Sequence, residues 1–166
     1  MRVSAVLDAS FWINAVRSHV AIYLTDYFAV AATPRVVTEI TALLSLPRAP
    51  EAALLFHDWQ QRGLIQVVTP AHSLDQFDAG ENEAIALARE RDWALLIDNG
   101  APRDWSRGPG GVRVIDSPAF VLYDNGRLDS AQATTILAQS QAARRVVREA
   151  LLYLVELMRR KGERSR

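Results

Sequence analysis

The sequence contains no cysteine, which excludes disulfides and thiolate metal sites. It has no apolar run long enough to span a membrane. The apolar start Val3 to Leu7 is interrupted by Asp8, well short of a signal-peptide core. A cytoplasmic protein without a membrane segment is therefore expected. The formal net charge is zero, so no overall field recruits nucleic acid. The three histidines, His19, His57 and His72, lack metal-ligand spacing and read as ordinary surface or boundary residues. Lysine is nearly absent: of the 19 basic residues only Lys161 is one. Arginine is the better bidentate partner for phosphate or carboxylate, although a GC-rich genome produces the same bias.

What is present is a chain of 166 residues, 49% apolar, without repeats or a low-complexity linker. That suits one domain with a substantial core. The charges are unevenly placed: residues 1 to 140 carry 11 basic and 16 acidic side chains, residues 141 to 166 carry 8 and 3.

Ala94 to Ile97 is an uninterrupted apolar run ending in Asp98-Asn99-Gly100. A short run bounded by turn residues suits a buried parallel strand, and open parallel sheets bind ligands outside the carboxyl ends of their strands. The same residues also fit a polar turn leaving a strand. Val3 to Leu7 repeats the pattern, ending in Asp8-Ala9-Ser10 where a helix begins. Asp8 reads as a helix cap or as a second acidic group on the same sheet edge. Further strands are expected at Tyr27 to Ala31, Leu64 to Val68 and Val112 to Ile115.

Thr33-Pro34 opens a helix to about Leu46. At 100° per residue Val36, Val37, Ile40, Leu43 and Leu44 form its apolar arc, with Glu39 just beyond the edge. Glu51 to Arg62 is an amphipathic helix ended by Gly63. A further helix starts at Asp78, and Asp78 with Glu81 has capping-box spacing. Glu81 also lies in line with Ile85 and Ala88 on the buried stripe, whereas Glu83 faces outward. Gly100 to Gly111 reads as a loop, in which Arg103, Trp105 and Arg107 form a candidate nucleic-acid contact or a solvated loop with one anchoring tryptophan. Beyond it a helical turn from Ser117 to Tyr123, a helix from Asp129 or Ser130 to about Gln139, and a basic helix from about Gln141 to Lys161 are expected. The last has an apolar arc wide enough to pack on the domain or on a partner, such as a second copy in a homodimer.

If Asp8, Glu39, Glu81 and Asp98 converge, they form an oxygen-only, strongly negative pocket. Such a pocket is unfavourable without a cation, because like charges raise one another's pKa. Mg²⁺ or Mn²⁺ is the natural occupant, and the chemistry it supports is phosphodiester hydrolysis.

The sequence resembles the PIN domains, a family that includes the ribonuclease toxins of bacterial toxin–antitoxin pairs. The resemblance is carried by Leu7-Asp8-Ala9-Ser10 with Ile13-Asn14, by Val36-Val37-Thr38-Glu39-Ile40, by Gly80-Glu81-Asn82-Glu83-Ala84-Ile85-Ala86-Leu87-Ala88, and by Leu95-Leu96-Ile97-Asp98-Asn99. It covers about residues 3 to 120, and the G-E-x-E-A-I form looks like a less characterised branch. It implies a three-layer α/β/α domain with a central, mostly parallel sheet, expected over residues 1–140; the basic helix over residues 141–166 lies outside the motif set. It further implies that Asp8, Glu39, Glu81 and Asp98 bind Mg²⁺ or Mn²⁺ and carry catalysis, supported by Ser10 and Asn99. Asn99 stands where a second aspartate often follows. The implied activity is endoribonuclease, as a toxin neutralised by an antitoxin protein. A catalytically weak nucleic-acid-binding or assembly module is the alternative. A haloacid-dehalogenase-like phosphatase needs a second aspartate where this chain has Ser10. A Rossmann or P-loop protein needs glycines that Asp8-Ala9-Ser10-Phe11 does not offer.

Overall fold

The computed structural model describes residues 2–17 and 19–116. The elements predicted beyond Asp116, including the basic helix over residues 141–166, lie outside the described residues. The central strand β1 (Val3–Leu7) pairs in parallel with β2 (Phe28–Ala32) on one side and with β4 (Ala94–Leu96) on the other. The sheet is completed by β3 (Ile65–Val67) beside β2 and by β5 (Val114–Ile115) beside β4, in the order β3-β2-β1-β4-β5. All the pairings are parallel. Each strand must therefore be reached by a crossover, and helices supply it in an α/β/α arrangement.

The helices are α1 (Ala9–Arg17), the single turn α2 (Leu24–Tyr27), α3 (Pro34–Thr41), α4 (Glu51–Gln61), α5 (Ala79–Arg91) and α6 (Gly100–Arg107). Thr33 caps α3, with its side chain accepting from the Val36 N–H, and Pro34 follows at the first helical position. The helix expected to reach Leu46 is α-helical only to Thr41 and tightens to a 3-10 turn over Ala42–Ser45. The chain leaves α5 through Asp92, which adopts the left-handed conformation that ends a helix (φ 53°).

Ala5, Val6, Leu7, Leu95, Leu96 and Ile97 are fully buried, as strands covered on both faces require. Trp12 ties α1 to α4: its indole packs edge-on against Phe56 at 5.5 Å and Trp59 at 5.2 Å. The same ring donates to the Ala52 carbonyl at 2.8 Å, so its polar atom is satisfied where it is buried.

The stretch expected as a loop after Asp98 is helical from Gly100 to Arg107. Gly100 and Pro102 do not break it, because both stand in the first turn, where the backbone N–H has no helical partner to lose.

Candidate active site at the carboxyl edge of the sheet

The chain builds β1, β2 and β3 outward on one side, then returns to place β4 and β5 on the other. The crossovers diverge between β1 and β4, and a parallel sheet opens a crevice beyond its carboxyl edge at such a point. Asp8 follows β1 and Asp98 closely follows β4, so both acids border that crevice.

Asp8 is held firmly. Its N–H donates to the Leu96 carbonyl at 2.9 Å, extending the ladder between the two strands. Its Oδ2 accepts from the Ser10 N–H at 3.0 Å and the Ser10 hydroxyl at 2.6 Å. The same hydroxyl oxygen accepts from the N–H groups of Asp98 at 3.2 Å and Asn99 at 3.3 Å. Ser10 thus joins the two strand ends through one atom, using the donor and both acceptor positions of a hydroxyl. Asp98 is 3% exposed, and its Oδ2 accepts from the Asn14 amide at 2.7 Å. Asn14, on α1 and itself buried, was visible in the sequence only as a neighbour of the Asp8 motif.

Glu39 and Glu81 reach the same region from two helices. Glu39 on α3 accepts the Gly80 N–H at 3.0 Å, in the first turn of α5, where backbone donors are unpaired and the helix dipole favours an anion. Glu81 completes a capping box with Asp78, accepting the Asp78 N–H at 3.3 Å through Oε2, while its Oε1 accepts from the Asn99 side-chain amide. Both sequence readings of Glu81 therefore hold together: it caps the helix, and it lies buried on the site side. Asn99 acts as a donor here, a role that an aspartate in its place lacks.

The electrostatics follow from burial. The Asp8 carboxyl is pushed up from 3.8 to about 6 by burial; the bonds from Ser10 pull it down and the charge of Glu39 adds to the rise. Glu39 is raised by burial, then by the charges of Glu81, Asp78 and Glu83, against the pull of the Gly80 N–H. Glu81 is raised by burial and by Asp8 and Asp78, against the amide of Asn99. Asp8, Glu39 and Glu81 thus stand within one another's fields, and Asp98 is joined to Asp8 through Ser10. Among the described residues no three acidic or histidine side chains are drawn together tightly enough to cage an ion; Glu39 and Glu81 are instead directed at Gly80, Asp78 and Asn99. The donor set still fits a hard cation: every donor is oxygen, and Asp8 Oδ1 is buried without a hydrogen-bond partner.

Gly80 has a steric reason to be glycine. A Cβ there would lie 2.6 Å from Glu39 Oε2 and 2.7 Å from its Cδ, and closer still to Oε1. Gly80→Ala should evict the Glu39 carboxylate at little net cost to α5, since the gain in helix propensity in its first turn, up to about 1 kcal/mol, is offset by loss of the bond from the Gly80 N–H to Glu39. The expected result is a melting temperature within a few degrees of wild type with at least a tenfold loss of the cation-dependent activity proposed below. Retained activity would show that Glu39 is not needed where it sits.

The arginines and tryptophan of α6 are placed differently from the loop reading. Arg103 is 1% exposed, with its Nε 3.0 Å from Asp104 Oδ1 and its Nη1 3.8 Å from Asp116 Oδ2. It belongs to the interior and does not reach for solvent phosphate. Trp105 is half-buried, edge-on to Phe77 at 5.8 Å, with the Arg89 guanidinium 5.7 Å over its ring. Arg107 remains exposed and contacts Asp116 at 3.5 Å. Asp116, buried just after β5, was missed in the sequence although it directly follows the strand expected at Val112 to Ile115: the strand-end signal that marks Asp8 and Asp98 is present there too.

Compared with solved structures, the chain is similar to the PIN domain endonuclease Utp24, with TM-score 0.52 and 7% identity over 68% of this chain and 84% of that one. The chain has the PIN-domain fold. A PilT N-terminus domain protein from the archaeon Sulfolobus solfataricus is also similar, with TM-score 0.45 and 15% identity over 85% of this chain and 97% of that one. No protein-family model and no curated protein matches the chain. The acidic crevice of this PIN fold lies at the switch point of its sheet. Among the described residues no helix is long and apolar enough to cross a membrane.

Proposed function

We propose that the protein is a metal-dependent endoribonuclease, with Asp8, Glu39, Glu81 and Asp98 holding Mg²⁺ or Mn²⁺. The observation that carries this reading is the buried, unpartnered Asp8 Oδ1, raised in pKa and standing in the fields of Glu39 and Glu81. A protein does not keep such an atom for stability, because a buried acceptor without a partner costs about 1–3 kcal/mol. A divalent cation bound there would neutralise the cluster, lower the pKa of a water and stabilise the charge that develops on the phosphate.

The chain's own residues prepare that chemistry. Ser10 fixes the Asp8 carboxylate and locks the neighbouring strand end to it. Asn14 sets the orientation of Asp98, and Asn99 that of Glu81, with geometry kept by bonds within a rigid sheet edge. The burial of Asp8 keeps bulk water from screening its charge. The resemblance of the motifs to PIN domains supports RNA as the substrate. On the same basis the protein acts as a toxin restrained by a separate antitoxin.

The test is direct. Single-stranded RNA incubated with the purified protein and Mn²⁺ should be cut internally, and excess chelator should stop the reaction until Mn²⁺ is restored. Cleavage that persists in chelator, or no cleavage with either ion, would overturn the proposal.

A further inference from the structure

The Arg103–Asp116–Arg107 cluster is not used by the carboxylate site. Asp116 lies just past β5, next to β4, so Asp8, Asp98 and Asp116 follow three adjacent parallel strands along one edge. With strands about 4.8 Å apart, Asp116 stands about 10 Å from Asp8 across the sheet. Its buried carboxylate meets two guanidinium groups, of which Arg103 has only 2% of its side chain exposed and Arg107 has 48%.

The two arginines have different duties. Arg103 compensates the buried charge from within. Arg107 adds a second cation to a carboxylate that already has one, and a half-exposed ion pair of this kind contributes little to stability. What the pair does achieve is to hold a flexible guanidinium in place through one of its nitrogens. A polyanion brought to a row of carboxylates needs a fixed positive group alongside, and a planar guanidinium grips phosphate with two parallel bonds.

We infer that Arg107, seated by Asp116, binds a backbone phosphate of the nucleic-acid strand beside the carboxylate crevice. This rests on the nuclease reading for its substrate class and extends it to a residue that holds the strand without taking part in the bond-breaking step.

The test measures binding and cleavage separately. A fluorescein-labelled single-stranded RNA oligonucleotide is titrated with full-length wild type, Arg107→Gln and Arg107→Lys in metal-free buffer at several salt concentrations. Arg107→Gln should weaken binding by about tenfold and flatten the plot of log affinity against log salt by about 0.7, as loss of one phosphate contact on a single strand requires. Arg107→Lys, which keeps the cation against Asp116 and guards against a folding effect, should restore the salt slope but only part of the affinity. With Mn²⁺ present, Arg107→Gln should raise KM about tenfold and leave kcat within about twofold. Equal binding by wild type and Arg107→Gln, or no binding by the wild type, would overturn the inference. If binding differs as expected but none of the three proteins cleaves RNA, the nuclease reading fails and the phosphate contact stands.

Discussion

In metal-free buffer at neutral pH, Asp8→Asn should melt between the wild-type temperature and several degrees above it, and in Mn²⁺ it should cleave RNA at least about a hundredfold more slowly. The stability half follows from the Asp8 pKa, which rises from 3.8 to about 6. Between those values the native state binds more protons than the unfolded chain, so stability present at pH 4 is lost as pH rises to and just past 6. A shift of that size corresponds to about 3 kcal/mol. Asparagine carries no charge and escapes this loss, and its carbonyl keeps a bond from Ser10. Its amide then occupies the place of Oδ1, where nothing accepts it, at a cost of about 1–3 kcal/mol. The net gain at pH 7 is about 0–2 kcal/mol, or roughly 0–8 °C. Melting curves from pH 4 to 7.5 check this: the wild type should lose stability across the range, Glu39 and Glu81 adding to the slope, and Asp8→Asn should lose less. The catalytic half follows from the same atom, because removing even a group that only supports a metal ligand costs about 10–100-fold. A variant less stable than wild type at pH 7 and equally active would refute the assignment of Asp8.

The second large effect concerns Glu81. Wild type saturated to 100 times the dissociation constant for Mn²⁺ gains about 2.7 kcal/mol, a rise of roughly 5–10 °C in melting temperature. Glu81→Gln should lose most of that rise. Its metal-free stability should change little, for reasons that oppose one another. Glutamine serves in a capping box as glutamate does, and the change relieves repulsion with Asp8 and Asp78. Against this, one carbonyl cannot accept both the Asp78 N–H and the Asn99 amide, so a bond worth about 1 kcal/mol is given up. Glu83→Gln is the control. Glu83 accepts the Arg35 N–H at 3.0 Å, a bond that a glutamine carbonyl retains, so the full Mn²⁺ shift should persist. If Glu81→Gln keeps the whole metal-induced rise, Glu81 is a cap and nothing more.

The sheet was legible because buried parallel strands appear in sequence as short apolar runs, and the positions of Asp8 and Asp98 follow from where those runs stop. Glu81 was legible from its angular alignment with Ile85 and Ala88, which separates it from Glu83. Other features depend on pairings that local periodicity does not carry. Asn14 sits among apolar neighbours on α1, and only the tertiary fold brings Asp98 to its amide at 2.7 Å. The helical reading of Gly100 to Arg107 was lost because glycine and proline count as breakers until their place in the first turn is known. With it went the burial of Arg103, since nothing near Arg103 in the sequence announces Asp116. Glu39 lay at the edge of an apolar arc; its partner, the Gly80 N–H, belongs to another helix.

The pairing of Ala5 with Ala94 across β1 and β4 also governs when the acidic crevice forms. Neighbouring strands far apart in the chain close a long loop, and such contacts form late and slowly. Synthesis proceeds from the N-terminus at about 5–20 residues per second, so Asp8 emerges well before the strand that carries Asp98 towards it. Until β4 docks beside β1, Ser10 has no Asp98 or Asn99 N–H to accept, and Glu81 has no Asn99 amide. In the nascent chain and in any folding intermediate lacking β4 the acidic crevice is therefore unformed, and it arises only when that strand docks beside β1.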